Sequence, residues 1–302
     1  MKSNPVYKME LMVSSRSIRT AMILFAFNGI LALAALFNMY SVIAQVKISA
    51  EIQYSRFLDL YLFIAGIEFL LLMFIMPAIT SSSISGERER QTLDLMLTTM
   101  MTPGQIVLGK LFSAFQTMAL LIVSSLPIIS MVFVYGGVSL KDLGMLVICY
   151  AAVALFAGSL GICFSSLFKR STLATVCTYG ALVAVVAGTY FINTFVYGIS
   201  QMNVGSSLNA IGSVARQASS GGFVYLLLLN PMVTFYSVVN GQTGGGQIID
   251  QMTKWFGANQ QELLMEHWAL ISIAVQVLAA CVLLWIAVRA VDPIRKTGRG
   301  KR

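Results

Sequence analysis

The chain has 302 residues, of which 57% are hydrophobic and only 11% are charged, and its net charge is +8. Soluble domains carry about 25% charged residues, so this composition excludes an ordinary soluble fold and predicts a polytopic helical membrane protein. A transmembrane β-barrel is also excluded, because it would show alternating segments of about ten residues.

Residues 1–20 are predicted to form an amphipathic helix on the membrane surface. Asn4 followed by Pro5 is a helix-start signal, and apolar residues such as Val6 and Met9 lie among dispersed charges. The alternative is an ordinary helical extension of the first span. A cleavable signal peptide is not expected, since the stretch lacks a short apolar core with a small-residue cleavage site.

Six apolar runs are each long enough to cross a bilayer as a helix, so the expected fold class is all-α with six transmembrane helices. The predicted spans are residues 21–46, 58–80, 104–135, 143–167, 173–199 and 265–290. Cytoplasmic termini put fifteen of the twenty Lys and Arg residues inside, whereas the inverted topology would put fifteen outside. The sequence therefore predicts a multi-pass cell-membrane protein with both termini cytoplasmic, and a nucleic-acid partner is not needed to explain the charge of +8.

A charged, amphipathic stretch between the second and third spans, residues 81–103, is here called the polar segment. Leu93 and Leu97 are four residues apart and share a helix face, as do Glu89 and Leu93. A solvated loop without a partner would leave these leucines expensively exposed. The pattern therefore indicates a helix that packs on one side and contacts something outside the membrane on the other.

Glu68 lies near the middle of the second span, where an ionisable group costs roughly 2.5–3.5 kcal/mol on insertion scales. It is therefore expected to face the bundle interior, a cavity or a partner helix. One interpretation is a substrate, proton or gating contact. The other is a hydrogen-bonded packing contact, for example to Asn28 or to a Tyr or Thr hydroxyl.

The fifth span contains Gly180, Ala184 and Gly188, small residues that recur every four positions. Such stripes let transmembrane helices approach closely. Packing within one subunit and packing between two subunits both remain open.

The external region, residues 200–264, contains an apolar stretch over 222–240 that is broken at Asn230 and Pro231. Each half is too short to cross a membrane, and a seventh span would place the basic C-terminus outside. We therefore predict two re-entrant half-helices before the last span, followed by a flexible glycine-rich turn over 241–246. Short surface helices are expected in the rest of the region.

No catalytic, cofactor or metal site is expected on the chain. Four cysteines lie inside apolar runs and are expected to be small buried residues: Cys149, Cys163, Cys177 and Cys281. The single histidine, His267, lies at the edge of the last span. Residues 104–110 match the start of a phosphate-binding loop, but Leu111 follows where Ser or Thr is needed to hold Mg²⁺.

Two motifs carry a resemblance to a known family. The run GERERQTLDLMLTT from Gly86 to Thr99, followed by Pro103 and by IVLGK at 106–110, is similar to the signature of ABC-2-type permeases. These are the membrane subunits of ATP-binding cassette exporters. Asn230-Pro231 resembles the late NP motif of the same family. Gln91 stands where glycine is frequent in the family.

The resemblance implies one transmembrane domain over residues 1–302, with the polar segment as a coupling helix set in a groove of a separate ATPase subunit. The implied coupling residues are Gly86, Glu87, Arg88, Glu89, Arg90, Thr92, Leu93, Asp94 and Leu97. ATP and Mg would then be bound by the partner, with no cofactor on this chain. A second permease subunit, identical or a sister chain, would pack against the first and fifth spans.

Two other classes of function stay open on the sequence. One is an ion-coupled secondary transporter that uses Glu68 as a proton relay. The other is a non-transporting membrane sensor or assembly subunit. The few charges in the spans favour an amphipathic or hydrophobic cargo for a transporter.

Overall fold

The computed structural model describes residues 7, 9–10, 12, 17–49, 55–98, 101–134, 139–208, 217–243, 254–256, 265 and 267–292. Over these ranges the chain forms helices and no strands, and six helical stretches are long and apolar enough to cross a membrane. This finding confirms the predicted all-α polytopic fold. The α-helices are α1 (Ile18–Ser49), α2 (Ser55–Thr80), α3 (Ser85–Glu89), α4 (Thr92–Thr98), α5 (Pro103–Val134), α6 (Leu140–Leu167), α7 (Ser171–Val183), α8 (Thr189–Leu208), α9 (Pro231–Thr243) and α10 (Trp268–Val291).

The fifth span differs from the prediction in length and regularity. A π-helical turn, Ala184–Gly188, joins α7 to α8, so that the helical run extends to Leu208. Residues 200–208, expected in a separate surface helix, instead continue α8. Such π-helical turns are rare and are frequently found at functional sites.

The first of two compact units comprises Met1–Tyr179 and Ala280–Arg302, and α6 is its centre. In the most apolar window of α6, 78% of the residues are buried, against 11% for α1. Helix α6 packs on α2 and α5, and α1 packs on the same two helices from the periphery. The exposed apolar side chains of α1, such as Phe25 and Phe37, are suited to contact lipid or another helix.

Gly161 of α6 lets the end of α2 come close. A Cβ atom at this position would overlap the side chain of Thr80 and would lie 3.1 Å from the backbone nitrogen of Ser81. The Thr80 hydroxyl is itself fixed, since it donates to the Met76 carbonyl at 2.8 Å. The absence of a side chain at Gly161 thus allows the end of α2, where the polar segment begins, to pack directly on α6.

The second compact unit, Gly180–Ala279, is built around aromatic and aliphatic side chains. Its buried cluster consists of Val224, Leu227, Leu228, Trp255, Phe256 and Trp268. A 3-10 helix, Gly221–Leu229, supplies three of these residues and is bent by 89° from the helix that follows Asn230. The predicted break at Asn230-Pro231 is therefore confirmed, whereas the return of both halves to one side of the membrane stays a prediction.

The prediction of a glycine-rich turn over 241–246 is wrong for residues 241–243. Helix α9 continues through Thr243, so Gly241 is helical, and residues 244–246 lie outside the described ranges. At the other end of the chain, the described residues of the predicted surface helix, Tyr7, Met9, Glu10 and Met12, are helical.

Candidate functional site: the polar segment

The polar segment forms two short helices, α3 and α4, that meet at a sharp turn. Gln91 makes this turn with a φ of 59°, in the left-handed region that glycine enters without steric cost. Glycine, which is frequent at this position in the family that the segment resembles, would adopt this φ without steric cost. Arg90, the residue that follows α3, still has helical backbone angles.

A side chain from α6 caps the start of α3. The Ser165 hydroxyl oxygen accepts hydrogen bonds from the backbone nitrogens of Ile84 and Ser85, each at 2.9 Å. All three residues are buried. Because the first N–H groups of a helix have no partner within it, Ser165 satisfies two donors that burial would otherwise leave unpaired.

Glu87 ties α3 to the third span and to the N-terminal region. Its Oε1 accepts from the Nζ atom of Lys110 at 3.0 Å, and the same ammonium group pairs with Glu10. The Thr92 hydroxyl donates to Oε2 of Glu87, across the turn between α3 and α4. Lys110 is 7% exposed, so its charge is compensated by two carboxylates rather than by water. Tyr7 adds a further tie, since its hydroxyl donates to Gln116 at 2.9 Å.

The next two charged residues bind the connection between α6 and α7. The Arg88 guanidinium donates to the carbonyl oxygens of Ser166 and Phe168, at 3.1 and 3.3 Å. The Glu89 carboxylate accepts from both the backbone nitrogen and the hydroxyl of Ser171, each at 2.8 Å. Arg88 thereby satisfies carbonyls at the end of α6, and Glu89 satisfies a donor at the start of α7.

The apolar side of the polar segment packs into the bundle, as the leucine spacing predicts. Ile84 and Leu93 are buried with Ile106, Val107 and Leu111 of α5. The cluster also includes Ile162, Ala287 and Val291 from α6 and α10, and Leu97 packs against it while partly buried. Side-chain hydrogen bonds and hydrophobic contacts therefore hold α3 and α4 on four different helices.

The remaining predicted coupling residues differ in how far they are exposed to solvent. Gly86 is partly buried, and a Cβ added to it would meet nothing within 4 Å, whereas Arg90 is exposed. Asp94 lies in α4, but its side chain is outside the described part of the structure. The stretch 104–110 is helical from its first residue as part of α5, and its lysine makes the carboxylate pairs above.

Glu68 is fully buried, as expected, and it accepts a hydrogen bond from a serine of a neighbouring helix. Ser125 of α5 donates to its Oε1, while Oε2 has no hydrogen-bond partner in the described structure. The hydroxyl of Tyr150 in α6, which interacts with the carboxylate, donates to the Ala65 carbonyl at 2.8 Å. Asn28 instead donates to the adjacent Ser124, at 2.9 Å. The suggested Asn28 partner is therefore replaced by a serine from a neighbouring helix.

The stripe of small residues in the fifth span is largely exposed on the surface of the described structure. Gly180 and Ala184 are exposed, Gly188 is partly exposed, and a Cβ added to either glycine would meet nothing within 4 Å. The described helices of this chain thus do not use the stripe for close packing. Its predicted role between two subunits stays a prediction.

Asn230 has two roles at the bend between the 3-10 helix and α9. Its Oδ1 accepts from the backbone nitrogen of Met232 at 2.9 Å, which caps α9. Its Nδ2 donates to the Val186 carbonyl at 2.8 Å and to the Thr189 hydroxyl at 2.9 Å. A single amide therefore joins the bend to the π-helical turn within the second unit.

The cysteine prediction is confirmed for Cys149 and Cys163, which are buried, and wrong for Cys281, which is exposed on α10, while Cys177 is partly exposed. An outward-facing position on a membrane helix suits a small apolar side chain as well as a buried one does. Across the described residues, no three His, Cys, Asp or Glu side chains converge on a metal-binding geometry.

Sequence reasoning missed the residues that hold the polar segment in place. Ser165 carries no signal, because it is one serine among several in an apolar run. Lys110 could have been found: a lysine at the start of a span, within the resembling motif, requires a carboxylate partner if buried. The carbonyl acceptors of Ser166 and Phe168 are backbone atoms and have no sequence signature.

These features define a multi-pass helical membrane protein in which a polar helical segment between two spans is bound firmly to its own bundle. Residues 34–289 match the model of a family described as ABC-2 family transporter protein. The match covers most of the chain, including the polar segment and Asn230. The protein belongs to this family and is a permease component of an ABC transporter. A search of the curated proteins finds no match to the chain.

Proposed function

We propose that this chain is the permease subunit of an ABC exporter driven by a separate ATPase subunit, with the polar segment as the coupling helix. Both termini and the polar segment lie on the cytoplasmic side in this proposal, in agreement with the distribution of Lys and Arg. The observation that carries it is the attachment of α3 and α4 to α5, α6 and α7. A segment held in this way moves together with the helices that it contacts, so a partner that displaces the segment also displaces the spans.

The hydrogen bonds and ion pairs of α3 attach it to two parts of the bundle. The Lys110 pairs couple α3 to the start of α5 and to Glu10 of the N-terminal region. Arg88 and Glu89 couple α3 to the connection between α6 and α7. Closure of the ATPase subunits would therefore displace the third, fourth and fifth spans together. Nucleotide can shift the permease between two states only by binding them with different affinity.

A complete exporter in this proposal contains two permease subunits and two ATPase subunits, with ATP and Mg bound by the ATPases alone. The open stripe of Gly180, Ala184 and Gly188 supports a second permease copy, or a sister chain, packed against the fifth span. Substrate would leave outward or laterally into the outer leaflet. The lipid-like character of the spans favours amphipathic or hydrophobic cargo.

The test is purification from the native membrane in mild detergent, with mass spectrometry of the proteins that co-purify. We expect a stoichiometric ATPase that carries a full phosphate-binding loop, and nucleotide-dependent changes in the accessibility of single cysteines placed in α8. An ion-coupled transporter would come without an ATPase and would respond to a proton gradient. A sensor would bind an ATPase but show no nucleotide-dependent change in the spans.

Coupling is tested in the same complex by charge reversal. Glu87→Lys together with Glu89→Lys should abolish the nucleotide-dependent accessibility change while membrane insertion stays intact. Lys141→Glu, at the exposed start of α6, is the matched control for a reversed charge. An unchanged nucleotide-dependent accessibility change in the double variant would contradict the assignment of the polar segment as the coupling helix.

A further inference from the structure

Most of the buried polar side-chain atoms that lack a partner lie in the second unit. Across the described residues, seven side-chain nitrogen and oxygen atoms are buried without a hydrogen bond, and five of them belong to this unit. They are both amide atoms of Asn193, the hydroxyl of Ser272, Oε1 of Gln276 and the indole nitrogen of Trp268. All four residues are at most 1% exposed. Unpaired polar groups are costly inside a protein and scarce in native structures, so a cluster of them requires a physical explanation.

Hydrogen bonds within the same unit connect the three helices that surround these atoms. Nε2 of Gln276 donates to the Thr234 hydroxyl at 2.7 Å, and that hydroxyl donates to the Asn230 carbonyl at 3.0 Å. Nδ2 of Asn230 donates to the Thr189 hydroxyl at 2.9 Å. A polar chain therefore runs from α10 through α9 to α8, and the unpaired Oε1 of Gln276 lies at its α10 end.

Two lines of residues four apart border this region: Thr189, Asn193 and Tyr197 on α8, and Gln276, Ser272 and Trp268 on α10. Residues at this spacing share a helix face and lie about 6 Å apart along the axis. The lines are joined at one end by the polar chain through Asn230. At the other end, Tyr197 packs against the apolar cluster that contains Trp268. Asn193 and Ser272, the middle members, are therefore held at the same level between the two joints.

The side chains at this level are neutral and offer both donors and acceptors. The Asn193 amide and the Ser272 hydroxyl each supply both kinds of group, and Gln276 supplies an acceptor. None of them carries a charge that would balance an ion, and their complete burial favours a small ligand. A water molecule meets these conditions, because buried water typically makes about three hydrogen bonds to polar groups that are otherwise unpaired.

We propose that Asn193, Ser272 and Gln276 bind ordered water between α8 and α10. Water bound here pairs the unpartnered atoms of these side chains and joins α8 to α10 directly, in addition to the route through Asn230. A bent backbone at membrane depth requires such internal partners, since lipid supplies none. The site does not depend on the ATPase subunit or on the role of the polar segment.

Removal of one water ligand distinguishes a hydrated site from a dry one. If the Ser272 hydroxyl faced only apolar atoms, Ser272→Ala would remove an unpaired group and raise the thermal unfolding temperature. With water bound, the same change leaves the water and Asn193 short of a partner. The unfolding temperature should then fall by about 2–4 °C. A rise on Ser272→Ala would overturn the proposal.

Ser159→Ala is the matched control for loss of a buried hydroxyl. Ser159 is as completely buried as Ser272, but its hydroxyl donates to the Phe156 carbonyl of its own helix at 2.8 Å. This change should therefore shift the unfolding temperature little. A loss as large as that of Ser272→Ala would show that the hydroxyl of a buried serine matters without any water, against the proposal.

A double variant tests whether two side chains share the same water. Asn193→Leu, a substitution of similar volume, should also lower the unfolding temperature. Because both changes act through one water site, the combination of Asn193→Leu with Ser272→Ala should lose little more than Asn193→Leu alone. Fully additive losses would indicate two independent packing defects and contradict a shared site.

Electron cryomicroscopy of the wild-type protein, purified with the subunits that accompany it, gives the direct test. At a resolution that shows ordered water, we expect compact density about 2.7–3.2 Å from the polar atoms of Asn193, Ser272 and Gln276. A direct hydrogen bond between Asn193 and Ser272, with no density between them, would refute the water site. Elongated density from a lipid or cargo group would refute it as well. The wild-type map answers the question even where a variant fails to insert.

Discussion

The Nζ atom of Lys110 lies 3.0 Å from Oε1 of Glu87 and also pairs with Glu10, so one buried cation joins α5, α3 and the N-terminal region. This arrangement makes Lys110 more important to stability than an exposed lysine would be, because its removal leaves two carboxylates without their counter-charge. It also gives the polar segment a fixed distance from the third span.

Lys110→Met should therefore lower the free energy of unfolding by roughly 3 kcal/mol, as expected when one partner of a buried pair is removed. Thermal unfolding in detergent is the measurement, with Lys110→Arg as the charge-preserving control. Adding Glu10→Gln and Glu87→Gln to the Met variant should recover part of the loss, since no unpaired charge then remains. A Met variant as stable as the wild type would contradict the pairing.

Replacing Ser165 by alanine should destabilise the protein far more than the same change at its neighbour Ser166. Ser165→Ala removes the acceptor of two buried backbone N–H groups, at a cost of about 1–3 kcal/mol for each group left unpaired. Ser166 is equally buried, but its hydroxyl donates only to the Cys163 carbonyl in the same helix. Ser166→Ala is thus the matched control and should change the thermal unfolding temperature little. Similar shifts for both variants would show that the cap of α3 does not depend on Ser165.

Gln91→Gly should stabilise the protein. The residue adopts a φ of 59°, and a non-glycine side chain in the left-handed region costs roughly 1 kcal/mol. Part of the gain is offset by the greater freedom of glycine in the unfolded chain, so we expect a net increase of about 0.5 kcal/mol. Arg90→Gly, at an ordinary helical φ of −81°, should instead destabilise. Thermal unfolding of the two variants should therefore shift in opposite directions.

Asn230→Asp separates the two roles of the asparagine. The carboxylate can still accept from Met232, but it cannot donate to Val186 or Thr189 and places negative charge beside a carbonyl oxygen. We expect a loss of about 1–3 kcal/mol and faster hydrogen exchange in α8 near the π-helical turn, with the start of α9 still protected. Pro231→Ala, at the first position of α9, is the control. Uniform loss of protection through α9 would mean that the cap, not the bridge, had failed.

Glu68 is expected to act as a packing contact between α2, α5 and α6. Glu68→Gln preserves an oxygen acceptor for Ser125 and should leave thermal stability nearly unchanged. Glu68→Leu removes one acceptor of the Ser125 hydroxyl, but Ser125 keeps the Ile122 carbonyl and Tyr150 keeps the Ala65 carbonyl as acceptors. The Leu variant should therefore destabilise by only about 1 kcal/mol. Nucleotide-dependent conformational change should persist in the Gln variant across a range of proton gradients. Its loss in the Gln variant alone would favour the ion-coupled alternative.

The spans and the break at Asn230-Pro231 could be predicted because they depend on local properties of the sequence. A run of apolar residues long enough to cross a bilayer specifies a helix whatever it packs against, and proline interrupts a helix wherever it removes a needed N–H group. The leucine spacing of the polar segment similarly identified its packed side, which contains Leu93.

The contacts of the charged residues could not be predicted, since they depend on how the helices are rotated about their axes. Glu87 and Glu89 look equivalent in the sequence, yet one binds Lys110 and the other binds Ser171. The rotation of α5 likewise presents Ser125 to Glu68 and the adjacent Ser124 to Asn28. Sequence spacing gives the face of a helix, but the neighbour that meets the face is a property of the whole bundle.

The joint between α3 and the connection from α6 to α7 is made largely with backbone atoms, and this determines how such proteins can diverge. Arg88 needs only carbonyl oxygens at positions 166 and 168, and Glu89 needs an N–H group at position 171. The side chains at 169 and 170 are therefore free to change without loosening the joint. Substitutions at these two positions can therefore change the charge beside the joint while the joint itself is kept.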